Sequence, residues 1–83
     1  MNAEEKKLLK QVTLLGILKK HKGESLDEVI GMLVDSGSYS QSEAKKLIRE
    51  LKSEGLINSM GNLTMKGHAK AKEAQARFKQ GYR

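Results

Sequence analysis

Apolar positions along the 83-residue chain fall into four segments with helical spacing, separated by short runs of turn formers. From Glu4 to about Lys20, Leu8, Val12 and Leu15 make one stripe, and Leu9, Leu14, Ile17 and Leu18 carry apolar surface well beyond it. That breadth predicts a helix covered on more than one side, by the C-terminal helix or by another copy of the chain. His21-Lys22-Gly23-Glu24 ends the segment, with cations in the last turn and glycine near the stop. Ser25-Leu26-Asp27-Glu28 reads as a capping box, so a second helix opens at about Leu26 and buries Leu26, Val29, Ile30 and Leu33. Gly31 lies off that stripe, where a mid-helix glycine costs roughly 1 kcal/mol against alanine. The turn formers Asp35-Ser36-Gly37-Ser38-Tyr39 stop this helix near Asp35.

The third segment has a cause at each end. Ser40 followed by Glu43 is again a capping box, and Gly55 offers the left-handed position that lets a chain turn out of a helix. Between them, Ala44, Leu47, Ile48 and Leu51 share one side, while Ser42, Lys45, Lys46, Arg49 and Ser53 gather on the other. Leu56-Ile57 and Leu63 flank Gly61-Asn62, a two-residue hairpin signal, so two short strands are expected. Thr64 is placed to cap a last helix running to about Lys79. Gly67, Ala71, Ala74 and Phe78 give it one small-residue face that admits a close neighbour. Lys66, Lys70, Lys72, Arg77 and Lys79 make the rest basic. Residues 1–79 then form one domain, and Gln80-Gly81-Tyr82-Arg83 is expected to be a frayed tail.

Charge changes this picture more than composition does. Met1 to Tyr39 holds six lysines against six acids, whereas Ser40 to Arg83 holds ten cations against four acids and carries the whole net charge of +6. An excess confined to the half with the third helix suits a polyanionic partner. At this length one core is only just sufficient, and with no cysteine present stability must come from helix packing or oligomerisation. The acidic start Met1-Asn2-Ala3-Glu4-Glu5 and the interruptions at Lys10, Gln11 and Thr13 argue against a signal peptide or membrane span, so a cytoplasmic protein is expected.

The segment Ala44 to Gly67 resembles the core of winged-helix transcription regulators of the MarR and PadR kinds. In those families a pattern Leu-x-x-Leu-x-x-x-Gly-Leu-Ile ends the recognition helix and opens the wing, and Leu-Thr-x-x-Gly closes the wing and opens the last helix. Here Ile48, Leu51, Gly55, Leu56 and Ile57, then Leu63, Thr64 and Gly67, match those patterns. The resemblance implies a mainly α winged helix-turn-helix, with a three-helix core, a short two-stranded hairpin wing and a C-terminal helix. It implies a nucleoid-associated transcription regulator that binds double-stranded DNA, sequence-specifically or generally, with helix 3 (about 40–54) in the major groove. Ser40, Gln41 and Ser42 would then lie nearest phosphates and base edges. Gln41 suits adenine, Arg49 suits a bidentate guanine contact, and Lys45, Lys46 and Lys52 suit phosphates. The wing would add only the neutral donors Asn58, Ser59 and Asn62. A homodimer through helix 1 and the C-terminal helix would cover two half-sites. Two features depart from the family: the wing carries no Arg or Lys, and helix 2 opens on Asp27 and Glu28. They favour an alternative, a protein-interaction module without direct DNA contact.

Other chemistry finds little footing. His21 and His68 are far apart, with no second ligand at helical spacing, so no metal or cofactor is expected. No serine has a nearby base partner and no glycine loop cradles phosphate, so neither catalysis nor a small-molecule substrate is expected. Tyr39, Phe78 and Tyr82 are too scattered for a base-stacking platform, and Tyr39 reads as a packing residue.

Overall fold

Among the described residues, capping side chains and left-handed glycines mark out four helices: α1 (Ala3–Lys19), α2 (Leu26–Asp35), α3 (Gln41–Ser53) and α4 (Met65–Gln80). The structure, a computed structural model, describes residues 2–20 and 23–80. His21, Lys22, residues 81–83 of the expected tail and the side chains of Phe78, Lys79 and Gln80 lie outside the described residues. Gln80 itself is the last residue of α4 rather than the first of a tail.

The helix starts follow the side-chain logic of the sequence. Asn2 Oδ1 accepts from the Glu5 N–H at 2.8 Å, so α1 begins slightly earlier than the apolar pattern suggests. Ser25 Oγ accepts from the Glu28 N–H at 3.2 Å, the forward half of the expected box. At α3 both halves form: Glu43 N–H donates to Ser40 Oγ (3.2 Å), and Ser40 N–H donates to the Glu43 carboxylate (2.9 Å). Both α2 and α3 end in the same way. Gly37 (φ 83°) and Gly55 (φ 76°) take the left-handed position, while the next N–H groups, of Ser38 and Leu56, reach back to the carbonyls of Leu33 (3.0 Å) and Leu51 (2.9 Å).

Two apolar clusters hold the helices together. Leu14 and Ile17 of α1, Leu51 of α3, Leu56 and Ile57 of the connection and Ala71 of α4 form one. Ile30 of α2, Tyr39 of the turn, and Ala44 and Leu47 of α3 form the other, with Leu26 and Ile48 bordering both. Fully buried leucine, isoleucine and valine side chains such as Leu47, Leu51, Ile57 and Val29 contribute roughly 1.5–3 kcal/mol each. Thr13 is fully buried yet satisfied: its hydroxyl donates to the Leu9 carbonyl (2.8 Å), so the Tyr39 phenol, 2.9 Å away, donates to Thr13. That bond ties α1 to the residue just before α3. Gly16 lies where α1 meets α2; a Cβ there would stand 2.9 Å from Val29 Cγ1. Gly31, by contrast, has nothing within 4 Å of such a Cβ.

The expected two-stranded wing is absent. Among the described residues there is no strand; Ile57 and Leu63 make one isolated antiparallel bridge. The connection has no length left for a ladder. The Leu56 N–H is spent on the end of α3, and one residue beyond Leu63 the Thr64 hydroxyl accepts from the Gly67 N–H (3.0 Å) to start α4. Between these points Asn58 Oδ1 takes the N–H groups of Met60 (2.9 Å) and Asn62 (3.0 Å), closing a side-chain turn. Gly61-Asn62 is therefore not a two-residue turn. Asn58 N–H donates to the Asn62 carbonyl (2.9 Å), Gly61 N–H to the Asn58 carbonyl (3.0 Å), and Gly61 sits at φ 82°, the pattern of a three-residue loop over Ser59-Met60-Gly61. The described residues form four helices with a tight turn where a wing was expected.

Gly67 explains how the turn is fastened. It is buried, and a Cβ there would stand 2.8 Å from the Leu56 carbonyl carbon and closer still to its oxygen. Around this contact Thr64 N–H donates to the Leu56 carbonyl (3.1 Å), and the Thr64 hydroxyl donates to the Gly55 carbonyl (2.6 Å). Part of the small-residue face of α4 is thus used inside the chain. Gly67 meets backbone, not another helix, and Ala71 (0 % exposed) and Ala74 (1 %) are buried without a second copy.

Candidate nucleic-acid interface

Burial of Ala44, Leu47 and Leu51 fixes the rotation of α3 about its own axis, and everything opposite them must face out. Ser42, Lys45, Lys46, Arg49, Lys52 and Ser53 are all exposed, as are Ser40 and Gln41 at the start of the helix. The thirteen residues of α3 span roughly 20 Å, long enough to lie along a groove about 12 Å wide.

The acids of α3 lie to one side of that face, where Glu43 and Glu50 share a recess with Lys46. Glu43 is held in the capping box, where hydrogen bonds from Ser40, first from its backbone, pull its carboxyl below the usual range. Glu50 pairs with Lys6 (2.9 Å) and Lys10 (3.3 Å) of α1, and Glu54 pairs with Lys10 (2.6 Å). The Lys6 hydrogen bond is the main reason the Glu50 carboxyl is lowered. Burial pulls the Lys10 ammonium down, but the hydrogen bonds and charges of Glu54 and Glu50 outweigh it and leave it raised. Such exposed pairs contribute only about 0–1 kcal/mol each. Their larger effect is on where charge lies. Two lysines of α1 cancel two glutamates on the α1-facing side of α3, while no ion pair among the described residues engages Lys45, Lys46, Arg49 or Lys52.

Sequence reading missed Lys6 and Lys10. They lie more than forty residues from their partners, beyond any helical-spacing rule. The one legible trace is that two lysines and two glutamates each stand four residues apart, which lets one pair lie against the other.

A shallow recess of about 280 Å³ separates α3 from the start of α2, lined by Gln41, Lys45, Arg49 and Lys52 on one side and by Leu26 and Asp27 on the other. Asp27 is exposed beside these cations without pairing to them, an acid bordering the outward face at this recess. The turn is brought to the same place. A Cβ on Gly61 would stand 2.8 Å from Leu26 Cδ2, so the turn packs on the first residue of α2. Asn58, Ser59 and Asn62 are exposed. The Asn58 side-chain oxygen is committed to the turn, which leaves its amide N–H groups to donate. Ser40 has its oxygen engaged by the Glu43 N–H, and its hydroxyl is also turned to the Glu43 carboxylate.

Tyr39 is buried (6 % exposed) and bonded to Thr13, which makes it part of the mounting of α3 and not of its surface. His68 is exposed, and His21 lies outside the described residues. Among the described residues no group of three or more His, Asp or Glu side chains is arranged to hold a metal ion, and no helix is long and apolar enough to cross a membrane. Compared with known proteins, the chain matches no family model, no curated protein and no solved structure.

Proposed function

We propose that the chain binds double-stranded DNA by laying the outward face of α3 in the major groove, in the service of transcription control. The observation that carries this reading is the sorting of charge on α3. Its glutamates are capped or cancelled by α1, and its outer side presents four cations and two serines. Arg49, with a planar fork near the middle of that face, is the candidate for reading guanine, and Gln41 at the first turn for reading adenine. Lys45, Lys46 and Lys52 serve phosphates, as point charges do. Three such contacts correspond to a fall in log affinity of roughly 2.7 per log unit of salt for each bound chain.

The test is a fluorescence-polarisation titration of duplex DNA with the parent and with K46E/R49E. Both positions are exposed and unpaired, so circular dichroism should show unchanged helicity while duplex binding is lost. Equal binding by the two proteins would remove α3 as the reader. A second reading, a protein-interaction module, is favoured by the uncharged turn region, where Met60 (81 % exposed) and Met65 (92 %) stand clear of the core. Under that reading M60S/M65S would abolish partner capture and K46E/R49E would leave it intact.

A further inference from the structure

The buried side of α1 carries Thr13, Leu14 and Ile17. The stripe Leu8, Val12, Leu15 lies on the opposite side of the same helix and belongs to neither core cluster. Leu8 is 48 % exposed, and Val12 and Leu15 are only partly covered. Extended at both ends, the stripe reads Glu5, Leu8, Val12, Leu15, Lys19, at intervals of three, four, three and four residues. That is the spacing of a seam between two helices. An acid stands at one end, a cation at the other, and the apolar positions are nearly symmetric about Val12.

Such a seam is complementary to its own antiparallel image. If two copies of α1 cross with their Val12 residues at a two-fold axis, Leu8 of one protomer meets Leu15 of its partner, and Glu5 meets Lys19. A parallel pairing would set Glu5 against Glu5 and Lys19 against Lys19. Glu5 and Lys19 are both exposed, and neither forms an ion pair within its own chain among the described residues. We infer that a second copy of this chain docks antiparallel on the outer face of α1, forming an isologous dimer through Glu5, Leu8, Val12, Leu15 and Lys19. With Ala71 and Ala74 already buried within the chain, α1 supplies the seam and α4 does not.

Sedimentation equilibrium without DNA tests this independently of the DNA reading. The parent should reach twice the 9.2 kDa of the single chain. L8K, at a half-exposed site, should remain monomeric with parental helicity. E5K and K19E each place like charges opposite one another at both ends of the seam. Each should weaken self-association about tenfold, equivalent to about 1.4 kcal/mol, and E5K/K19E should restore it. A parent that stays monomeric up to millimolar concentration, an L8K variant that dimerises like the parent, or an E5K/K19E variant no tighter than either single change would overturn the inference.

Discussion

Replacing glycine by alanine inside a helix ordinarily stabilises it, and this chain offers two such sites where the outcome should have opposite signs. Gly31 and Gly67 both lie within helices, neither at positive φ. At Gly31 the added Cβ meets nothing within 4 Å, so G31A should gain up to roughly 1 kcal/mol from helix propensity and the reduced freedom of the unfolded chain. At Gly67 the same methyl overlaps the Leu56 carbonyl, which is backbone and cannot rotate away. Relief requires α4 to move off the end of α3. Two hydrogen bonds then break: Thr64 N–H to the Leu56 carbonyl and the Thr64 hydroxyl to the Gly55 carbonyl. At about 1 kcal/mol each, less the propensity gain, G67A should lose roughly 1–2 kcal/mol. For a domain of this size that lowers Tm by on the order of 5–15 °C, whereas G31A should raise it by up to about 4–8 °C. Urea unfolding followed by far-ultraviolet circular dichroism reads both variants on one scale. If G67A were as stable as the parent, the close approach at Leu56 would not be what fastens α4.

Two predictions concern pH. Burial raises the Tyr39 phenol above its ordinary range, against a smaller opposing effect of its bond to Thr13. An acid raised on folding favours the protonated state, so stability should fall as pH climbs past about 10, the unfolded tyrosine value. Y39F should lose about 1 kcal/mol at neutral pH and show a shallower alkaline decline in thermal melts, the Lys10 contribution remaining. A decline as steep as the parent's would place the titrating group elsewhere. Glu43 and Glu50 are lowered on folding, so their contribution is present above about pH 4.3 and disappears as pH falls through their lower folded values. E43Q/E50Q should therefore flatten the acid limb of a stability–pH curve, and an unchanged limb would show that neither carboxylate drives acid unfolding.

The helix boundaries were legible because their causes are local: Ser40 with Glu43, Ser25 with Glu28, and Gly37 and Gly55 past the helix ends act within a few residues. The outward set on α3 was legible for the same reason, since Ala44, Leu47 and Leu51 leave only one rotation open. What could not be read depends on distant neighbours. Leu8, Val12 and Leu15 are as regular a stripe as any buried one, and periodicity cannot say which of two apolar faces turns inward, least of all when the inward one carries Thr13. The wing failed for want of length. The residues β-prone by type, Leu56-Ile57 and Leu63, were there, but the end of α3 and the start of α4 claimed the hydrogen bonds on either side. The charge cancellation at Lys6 and Lys10 needed the tertiary packing of α1 on α3.

The phenol-to-threonine bond leaves α3 little room to pivot. Tilting it would drag Tyr39 away from Thr13 and strand the phenol in a dry interior, while the Thr13 hydroxyl keeps its bond to the Leu9 carbonyl. A probe held at one angle selects ligands by fit and does not mould itself to them, so if α3 reads duplex DNA as proposed, sequences that bend easily toward this shape should outcompete stiffer ones with identical base contacts.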